Sequence, residues 1–385
     1  MKTTKVALIN CFNYELEELK TKIKDALDLI GGLETIPQNA RVLIKPNCLG
    51  PFHYSQAITT HPVFVQAVIQ IVKTRTNNII VGDNPATKNL IYTLKKNGIY
   101  DVIENEKVEI LKGDIFTTIY NEEGKIYHEF EVSKQMIDVD IMINLPKLKT
   151  HALMYLTCAQ KNLFGLIYGL NKASWHVKAP NPLVFAEAFN DFYGAILNSY
   201  QNKKIINICD GIIGLEGEGP STSGFPKEAG AILASFDAIS LDRVAIEIAG
   251  LEYDKYVLNQ IGSKRGLGVG NLKDIEIVGE KINTFENIKF VPATNPLSIR
   301  SLRLLKFKRL RNLVLEHPVI DKQKCIKCGE CAKICPPKAL TIKKGSYPKL
   351  NKTSCIRCWC CSEVCPQNAI NKSERPLLGK ILLKN

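Results

Sequence analysis

The stretch VDIMINLPKLKTHALMYLTCAQKNLFG, residues 139–165, begins with the apolar run Val139 to Ile143 and then brings Lys147, Lys149, His151, Cys158 and Lys161 close together. An apolar, β-branched segment followed at once by cationic residues reads as a strand, Ile141–Leu145, buried on both faces and ending at a polar rim. Comparable runs recur at Val6–Ile9, Val42–Ile44, Ile79–Val81, Ile205–Ile208 and Ala231–Ser235. Helix-like stretches lie between several of them, for example Glu15–Leu29, Pro62–Lys73 and Leu183–Leu197. Buried strands alternating with helices predict an α/β domain, a mostly parallel sheet covered by helices on both sides.

Ligands of such sheets bind beyond the carboxyl ends of the strands. Polar residues follow the strands repeatedly here: Lys45-Pro46-Asn47-Cys48, Gly82-Asp83-Asn84-Pro85, Pro146 through His151, and Cys209-Asp210-Gly211. A longer loop, GLEGEGPSTSG at 214–224, adds Glu216, Glu218 and glycines that let backbone amides approach a ligand. A helix over residues 151–166 would place His151, Met154, Cys158, Lys161 and Gly165 within about 80° of one another. Its N-terminus would add positive charge where an anion sits. The expected catalytic residues are His151, Lys149, Lys161 and Cys158, with His151 as proton donor. Lys45, Asn47, Asp83, Lys147, Asp210 and Glu216 are the expected substrate-binding set. The competing reading treats the lysines as a solvated strand edge, the histidine as a cap and Cys158 as a small buried hydrophobe.

The C-terminal region carries different information. Thirteen cysteines occur in the chain, and nine of them fall between Cys325 and Cys365. CIKCGECAKICPPKAL at 325–340 repeats as CIRCWCCSEVCPQNAI at 355–370, giving CxxCxxCxxxCP twice, thirty residues apart. Three cysteines at this spacing wrap one [4Fe–4S] cube and the fourth reaches the other cube. Cys325, Cys328, Cys331 and Cys365 are therefore expected to hold one cluster, and Cys355, Cys358, Cys361 and Cys335 the second. About fifty residues here resemble two-cluster bacterial ferredoxins, a small α+β fold. Cys360 departs from the motif and reads as a packed or surface thiol.

Composition and charge bound the rest. The start, MKTTKVALIN, has no apolar segment of signal-peptide length, and no transmembrane run is present, so a cytoplasmic location is expected. Residues 321–385 carry 14 Lys+Arg against 4 Asp+Glu, and residues 297–320 carry six basic residues against Glu316. The remaining 296 residues are near neutral, which argues against a nucleic-acid-binding body and for an acidic electron-donor protein, such as a ferredoxin or flavodoxin, docking on the basic end. The expected organisation is a main domain over 1–296, a basic connector over 297–320, a two-cluster domain over 321–373 and a tail over 374–385. Neither GxGxxG nor GxxxxGK[ST] occurs, so no nucleotide site is supported. Asp83, Asp210, Glu216 and Glu218 are the carboxylates from which a divalent metal site would be built; no motif supports that metal or a flavin.

The segments IKPN (44–47), GDNPATK (82–88), NLPKLKTH (144–151), CAQKNLFG (158–165), CDGIIGLEGEGP (209–220) and FDAISLDRVA (236–245), in this order, resemble the prokaryotic family of domain of unknown function 362. That resemblance covers about residues 5 to 300 and implies no settled activity. The combined expectation is an oxygen-sensitive, anaerobe-type iron–sulfur oxidoreductase that reduces a small anionic substrate at the sheet rim. An electron-transfer subunit without a substrate, and a maturation factor delivering metal or cluster, are the alternatives.

Overall fold

The computed structural model describes residues 4–85, 89–167, 172, 175, 179, 181–293 and 308–382. The sheet strands, in chain order, are β1 (Thr4–Asn10), β2 (Val42–Pro46), β3 (Ile79–Val81) and β4 (Glu109–Ile110). A separate hairpin, β5 (Phe116–Tyr120) and β6 (Glu129–Ser133), follows. The sheet continues with β7 (Ile141–Leu145), β8 (Lys147–His151), β9 (Tyr155–Thr157), β10 (Lys204–Gly217), β11 (Gly224–Ser235) and β12 (Ile275–Gly279). Its order is β12-β1-β11-β10-β7-β2-β3-β4, with β8 pairing on β10 and β9 on β8. β11 runs antiparallel to β1 and β10, and β9 to β8; the other pairings are parallel.

Period-two alternation divides the apolar residues of the central strands between two cores. Val42, Ile44, Ile141 and Ile143 face one core, where Leu19 and Ile23 of helix Leu16–Ile30 and Val65 and Val68 of helix Pro62–Lys73 pack. Leu43 and Met142 face the opposite core, built with Phe185, Phe189 and Phe192 of helix Pro182–Ser199 and with helix Ala238–Ile248. The helix starts are written locally: the His61 and Asn181 side chains accept N–H bonds from Val63 and Val184, and a proline follows each cap.

The helix expected over 151–166 does not form. Residues 147–151 are β8, Tyr155–Thr157 return as β9, and only Ala159–Asn162 and Leu163–Leu166 are helical, the latter as a 3₁₀ turn. Two causes compete successfully with the helical pattern. The β8 backbone finds partners on β10, Lys147 opposite Asp210 and Lys149 opposite Leu215, and Tyr155 takes φ 71°, which no right-handed helix contains. Gly165 follows a strict packing demand, because a Cβ there would meet Asp83 Oδ1 at 2.0 Å and Lys45 Nζ at 2.5 Å.

In the C-terminal unit, Pro318–Ile320 pairs with Ile370–Lys372 and Leu340–Thr341 with Lys349–Leu350. The cysteine repeat is also a backbone repeat. Lys327 and Arg357 have φ 58° and 59°, Gly329 and Trp359 have 80° and 66°, and Lys338 and Asn368 have 50° and 47°. Of the expected basic connector, residues 297–307 lie outside the described residues; Lys308–Val314 is helical and packs with helix Leu377–Leu382 of the expected tail.

The loop at 214–224 has partners within the protein. It docks the C-terminal unit: Thr222 Oγ1 donates to the Cys365 carbonyl at 3.2 Å, Ser223 Oγ to Asn368 Oδ1 at 2.9 Å, and Lys372 pairs with Glu218 at 2.5 Å. The same loop lies on β8, where Ala152 N–H donates to the Gly219 carbonyl at 3.0 Å and Thr150 Oγ1 to the Gly217 carbonyl at 2.8 Å. One short segment thus ties the sheet rim to the cysteine-rich unit.

Candidate functional site

A cavity of about 110 Å³ opens where the carboxyl ends of the strands meet the cysteine-rich unit. The sheet side contributes Asn47, Asp83, Asn84, Lys149, His151, Thr157, Lys161, Asn162, Phe164 and Lys172. Ile334, Cys360, Glu363 and Val364 form the opposite wall.

Three lysines dominate its electrostatics, and among the described residues none of them has a carboxylate at salt-bridge distance. Lys149 Nζ donates to Asn47 Oδ1 at 2.6 Å and to the Ile58 carbonyl at 2.7 Å. Burial, reinforced by Lys147, lowers its pKa to about 7. Lys161 Nζ stands 4.3, 5.4 and 5.6 Å from the ring centres of Phe164, Phe185 and Phe189. Burial brings this amine to about 8, with the carboxyl of Glu363 opposing. Lys172, which donates to the Asn84 carbonyl, is lowered to about 8 by burial, with Asp83 opposing. Burial raises the Glu363 carboxyl above its usual range, and Lys161 and Lys149 pull the other way.

His151 accepts the N–H bonds of Leu153 at 3.0 Å and Met154 at 3.3 Å on Nδ1. That arrangement makes Nε2 the nitrogen that carries the proton of the neutral ring. The rim is braced by amides at the strand ends: Asn47 Nδ2 donates to Asn162 Oδ1 at 2.9 Å, Asn162 Nδ2 to Asn144 Oδ1 at 2.8 Å, and Asn144 Nδ2 to Asn207 Oδ1 at 2.8 Å. Buried amides satisfied in this way hold a site in one geometry.

The structure divides the expected residues into two groups. Lys149, His151, Lys161, Asn47 and Asp83 line the cavity. Lys45 sits behind it, paired with Asp83 at 2.9 Å. Burial pushes Asp83 up, but Lys45, Lys172 and the Cys48 N–H together hold its carboxyl below the usual value. Lys147, Asp210, Glu216 and Cys158 are not part of the lining. Lys147 is buried with Asp210 at 2.7 Å, and Asp210 also accepts from Tyr14 at 2.8 Å and from the His61 N–H at 2.9 Å. These contacts satisfy both charges, so the pair serves the fold. Glu216 accepts the Val291 N–H at 2.9 Å. Cys158 is buried with its Sγ 3.4 Å from that of Cys209, and burial pushes its thiol pKa well up, the opposite of an activated nucleophile.

Lys172, Cys360 and Glu363 were not among the expected site residues. Glu363 carried a usable signal, since it replaces Lys333 of the first repeat and is one of 4 acidic residues in residues 321–385. Asp242, within FDAISLDRVA, also escaped. Its carboxylate accepts the N–H bonds of Ala159 at 2.6 Å and Gln160 at 3.2 Å and so starts the turn that carries Lys161.

The cysteines of the second unit gather in crossed sets. Cys325, Cys328, Cys331 and Cys365 line one small cavity, of about 20 Å³, and Cys335, Cys355, Cys358 and Cys361 line another, of about 10 Å³. Each set offers the four thiols that a [4Fe–4S] cube takes. Ala339 N–H donates to Cys335 Sγ and Ala369 N–H to Cys365 Sγ, both at 3.2 Å, placing a matched donor on the fourth cysteine of each repeat. Among the described residues no group of three histidine, cysteine or carboxylate side chains is disposed to hold a single metal ion.

Comparison with known proteins agrees with this architecture. Residues 317–340 and 348–371 each match a 4Fe-4S binding domain. The protein is thus an iron–sulfur electron-transfer protein with two [4Fe–4S] clusters. Residues 42–247 match the domain of unknown function (DUF362), and the chain belongs to that family. A thylakoid-associated protein of Synechocystis sp. is 31% identical over 268 residues, covering 69% of this chain and 79% of that protein. The lactate racemase apoprotein of Thermoanaerobacterium thermosaccharolyticum aligns with a TM-score of 0.41 at 13% identity, over 64% of this chain and 57% of its own length. That likeness is too slight to carry functional weight. Among the described residues no helix is long and apolar enough to cross a membrane.

Proposed function

We propose that the chain is a reductase whose small anionic substrate binds in the cavity between the sheet rim and the cysteine-rich unit. The observation that carries this reading is the composition of that cavity's two walls. One wall presents Lys149, Lys161, Lys172 and His151, and the other is made of residues adjoining the cysteine sets, Ile334 beside Cys335, Cys360 between Cys358 and Cys361, and Val364 beside Cys365. In this reading Cys325, Cys328, Cys331 and Cys365 hold one cluster and Cys335, Cys355, Cys358 and Cys361 the other. Residues 1–296 form the substrate domain and residues 321–373 the electron-transfer domain.

The lysines serve as an anion clamp. Lys161, held among phenylalanine rings, and Lys172 attract a carboxylate or phosphate with less competition from water than a surface lysine meets. Lys149, with its pKa near 7, gives up a proton readily at neutral pH, and His151 offers a hydrogen bond from Nε2–H rather than a proton. Asn47 and Asn162 orient Lys149 and close the floor. When bound, the clusters supply one electron each, and a reduction that adds two electrons and two protons balances with one proton from Lys149 and one from solvent, while His151 hydrogen-bonds the substrate. The electrons originate from a low-potential donor protein. Exposed Lys322, Lys324 and Lys327 around exposed Ile326 and Cys328 offer an acidic donor of this kind a basic face.

The test is made on anaerobically purified, chemically reduced protein, titrated with small carboxylates and phosphates while cluster oxidation is followed by absorbance. Reoxidation by one compound class, lost in Lys149→Ala, is the expected result. Clusters reoxidised only by protein fractions, equally in wild type and variant, would leave an electron carrier without a substrate of its own.

A further inference from the structure

A second cavity, of about 250 Å³, adjoins the first, and Pro220 and Glu363 line both. The docking loop forms one wall with Glu218, Ser221 and Ser223, and the cysteine-rich unit forms the other with Trp359, Asn368 and Lys372. This space is more than twice the volume of the cavity that holds the lysines.

Two features of the second cavity point to a ligand. Ser221 is 3% exposed, and among the described residues its Oγ has no hydrogen-bond partner. A buried hydroxyl is costly to leave unpaired, and a ligand group in the cavity that it lines would satisfy it. Trp359 takes φ 66° where the first repeat has Gly329 at 80°. Glycine meets that conformation without strain and a bulky side chain does not. The indole stands there nonetheless, 7% exposed, and lines both this cavity and the small one of the Cys335, Cys355, Cys358 and Cys361 set. The walls also restrict the charge of an occupant. Glu218 and Lys372 neutralise each other at 2.5 Å, and the remaining polar groups are the hydroxyls of Ser221 and Ser223 and the amide of Asn368, which donates as well as accepts. Such groups suit the hydroxyls of an uncharged ligand, and an indole suits the C–H face of its carbon frame.

Resting on the anion clamp described above, we propose that the two cavities form one bipartite site and that its substrate is an anionic head on a neutral, hydroxylated body, as in a sugar phosphate or a sugar acid. The head lies among Lys149, Lys161 and Lys172. The body passes Pro220 and Glu363 and lies against Trp359, with one hydroxyl paired to Ser221 Oγ. A bare small anion would fill the lysine cavity alone and leave both the larger space and the Ser221 hydroxyl unused. The loop expected to meet a ligand with its backbone amides meets it instead with a side chain.

Isothermal titration calorimetry on the full, cluster-loaded, oxidised chain tests the inference with two pairs of probes, glucose 6-phosphate against inorganic phosphate and gluconate against acetate. In at least one pair the hydroxylated probe should bind about tenfold tighter or more, and a gain in one pair alone tells a phosphate head from a carboxylate head. Ser221→Leu, which fills the second cavity and removes the hydroxyl, should bring that ratio toward one. Lys149→Met should weaken both probes and leave the ratio standing. Ser221→Ala should reduce the ratio without lowering the urea midpoint; a lowered midpoint would make the hydroxyl structural and overturn the inference. A ratio of one in the wild type, or one that survives Ser221→Leu, would also overturn it, while Lys149-dependent binding of the small anions would keep the clamp. Small anions that do not bind, or bind equally in Lys149→Met, would overturn the clamp and the bipartite site together.

Discussion

Lys147 and Lys149 stand two positions apart on β8, and the difference between their surroundings separates scaffold from site. Lys147 is locked to Asp210 at 2.7 Å, both side chains at most 1% exposed. Among the described residues, Lys149 has only a neutral amide and a carbonyl as acceptors. The register of β8 against β10 slips between the two, and their amines part company. A buried amine whose charge is already matched has little left to offer a ligand. One bonded to neutral groups keeps its charge and its proton available.

The largest effect should come from breaking the matched pair. Asp210→Asn leaves Lys147 buried without its carboxylate, and the loss of stability should be on the order of 3–5 kcal/mol, read from the urea midpoint. Adding Lys147→Met should recover much of it. A small loss in Asp210→Asn would show that this pair is not structural.

The unmatched amine should behave in the opposite way. Lys149→Met removes a desolvated cation and should leave the urea midpoint unchanged or raised, while slowing substrate-driven cluster reoxidation by about a hundredfold or more. A stability loss comparable to that of Asp210→Asn would erase the contrast between the two lysines.

Acidity sharpens it further. Folding lowers Lys149 from 10.5 to about 7, so the folded chain holds this proton less tightly than the unfolded chain. The burial penalty is therefore full below pH 7 and relieved as pH rises from about 7 toward 10.5, a contribution to stability that grows with pH. Anion affinity should move the other way, falling as pH passes about 7, where Lys149 loses its charge, and then about 8, where Lys161 and Lys172 lose theirs. A tenfold weakening across these steps, with the first step missing in Lys149→Met, is the expected calorimetric result. A flat profile would remove all three lysines from anion binding.

The smallest effect belongs to the docking loop. Lys372 and Glu218 are 27% and 26% exposed at their side chains, so Glu218→Gln should cost about 0–1 kcal/mol in the unfolding midpoint. A much larger loss would mean that the contact between sheet rim and cysteine-rich unit rests on this one ion pair.

Local pattern carried a good part of this protein. Both faces of β2 and β7 are buried, as their unbroken apolar runs require, and helix Pro62–Lys73 begins and ends where its capping histidine, proline and closing lysine put it. The cysteine repeat announced both clusters because ligand spacing along one short chain segment is itself the coordination geometry. Residues 151–166 were misread because the apolar residues of THALMYLTCAQKNLF suit a helix and a short hairpin almost equally. Partners on β10, supplied by residues more than fifty positions away, settled the choice.

What the sequence by itself determined is therefore the class of the sheet, the presence of the two clusters and the neighbourhood of the rim lysines. Only the tertiary structure decided which lysines are neutralised, that Glu363 and Cys360 face them, and that the glycine-rich loop serves docking. The physical reason is range: propensity, capping and cysteine spacing act over a few residues. Charge pairing and cavity walls depend on groups as distant as Lys147 from Asp210, 63 residues apart, and their proximity exists only once the chain has folded.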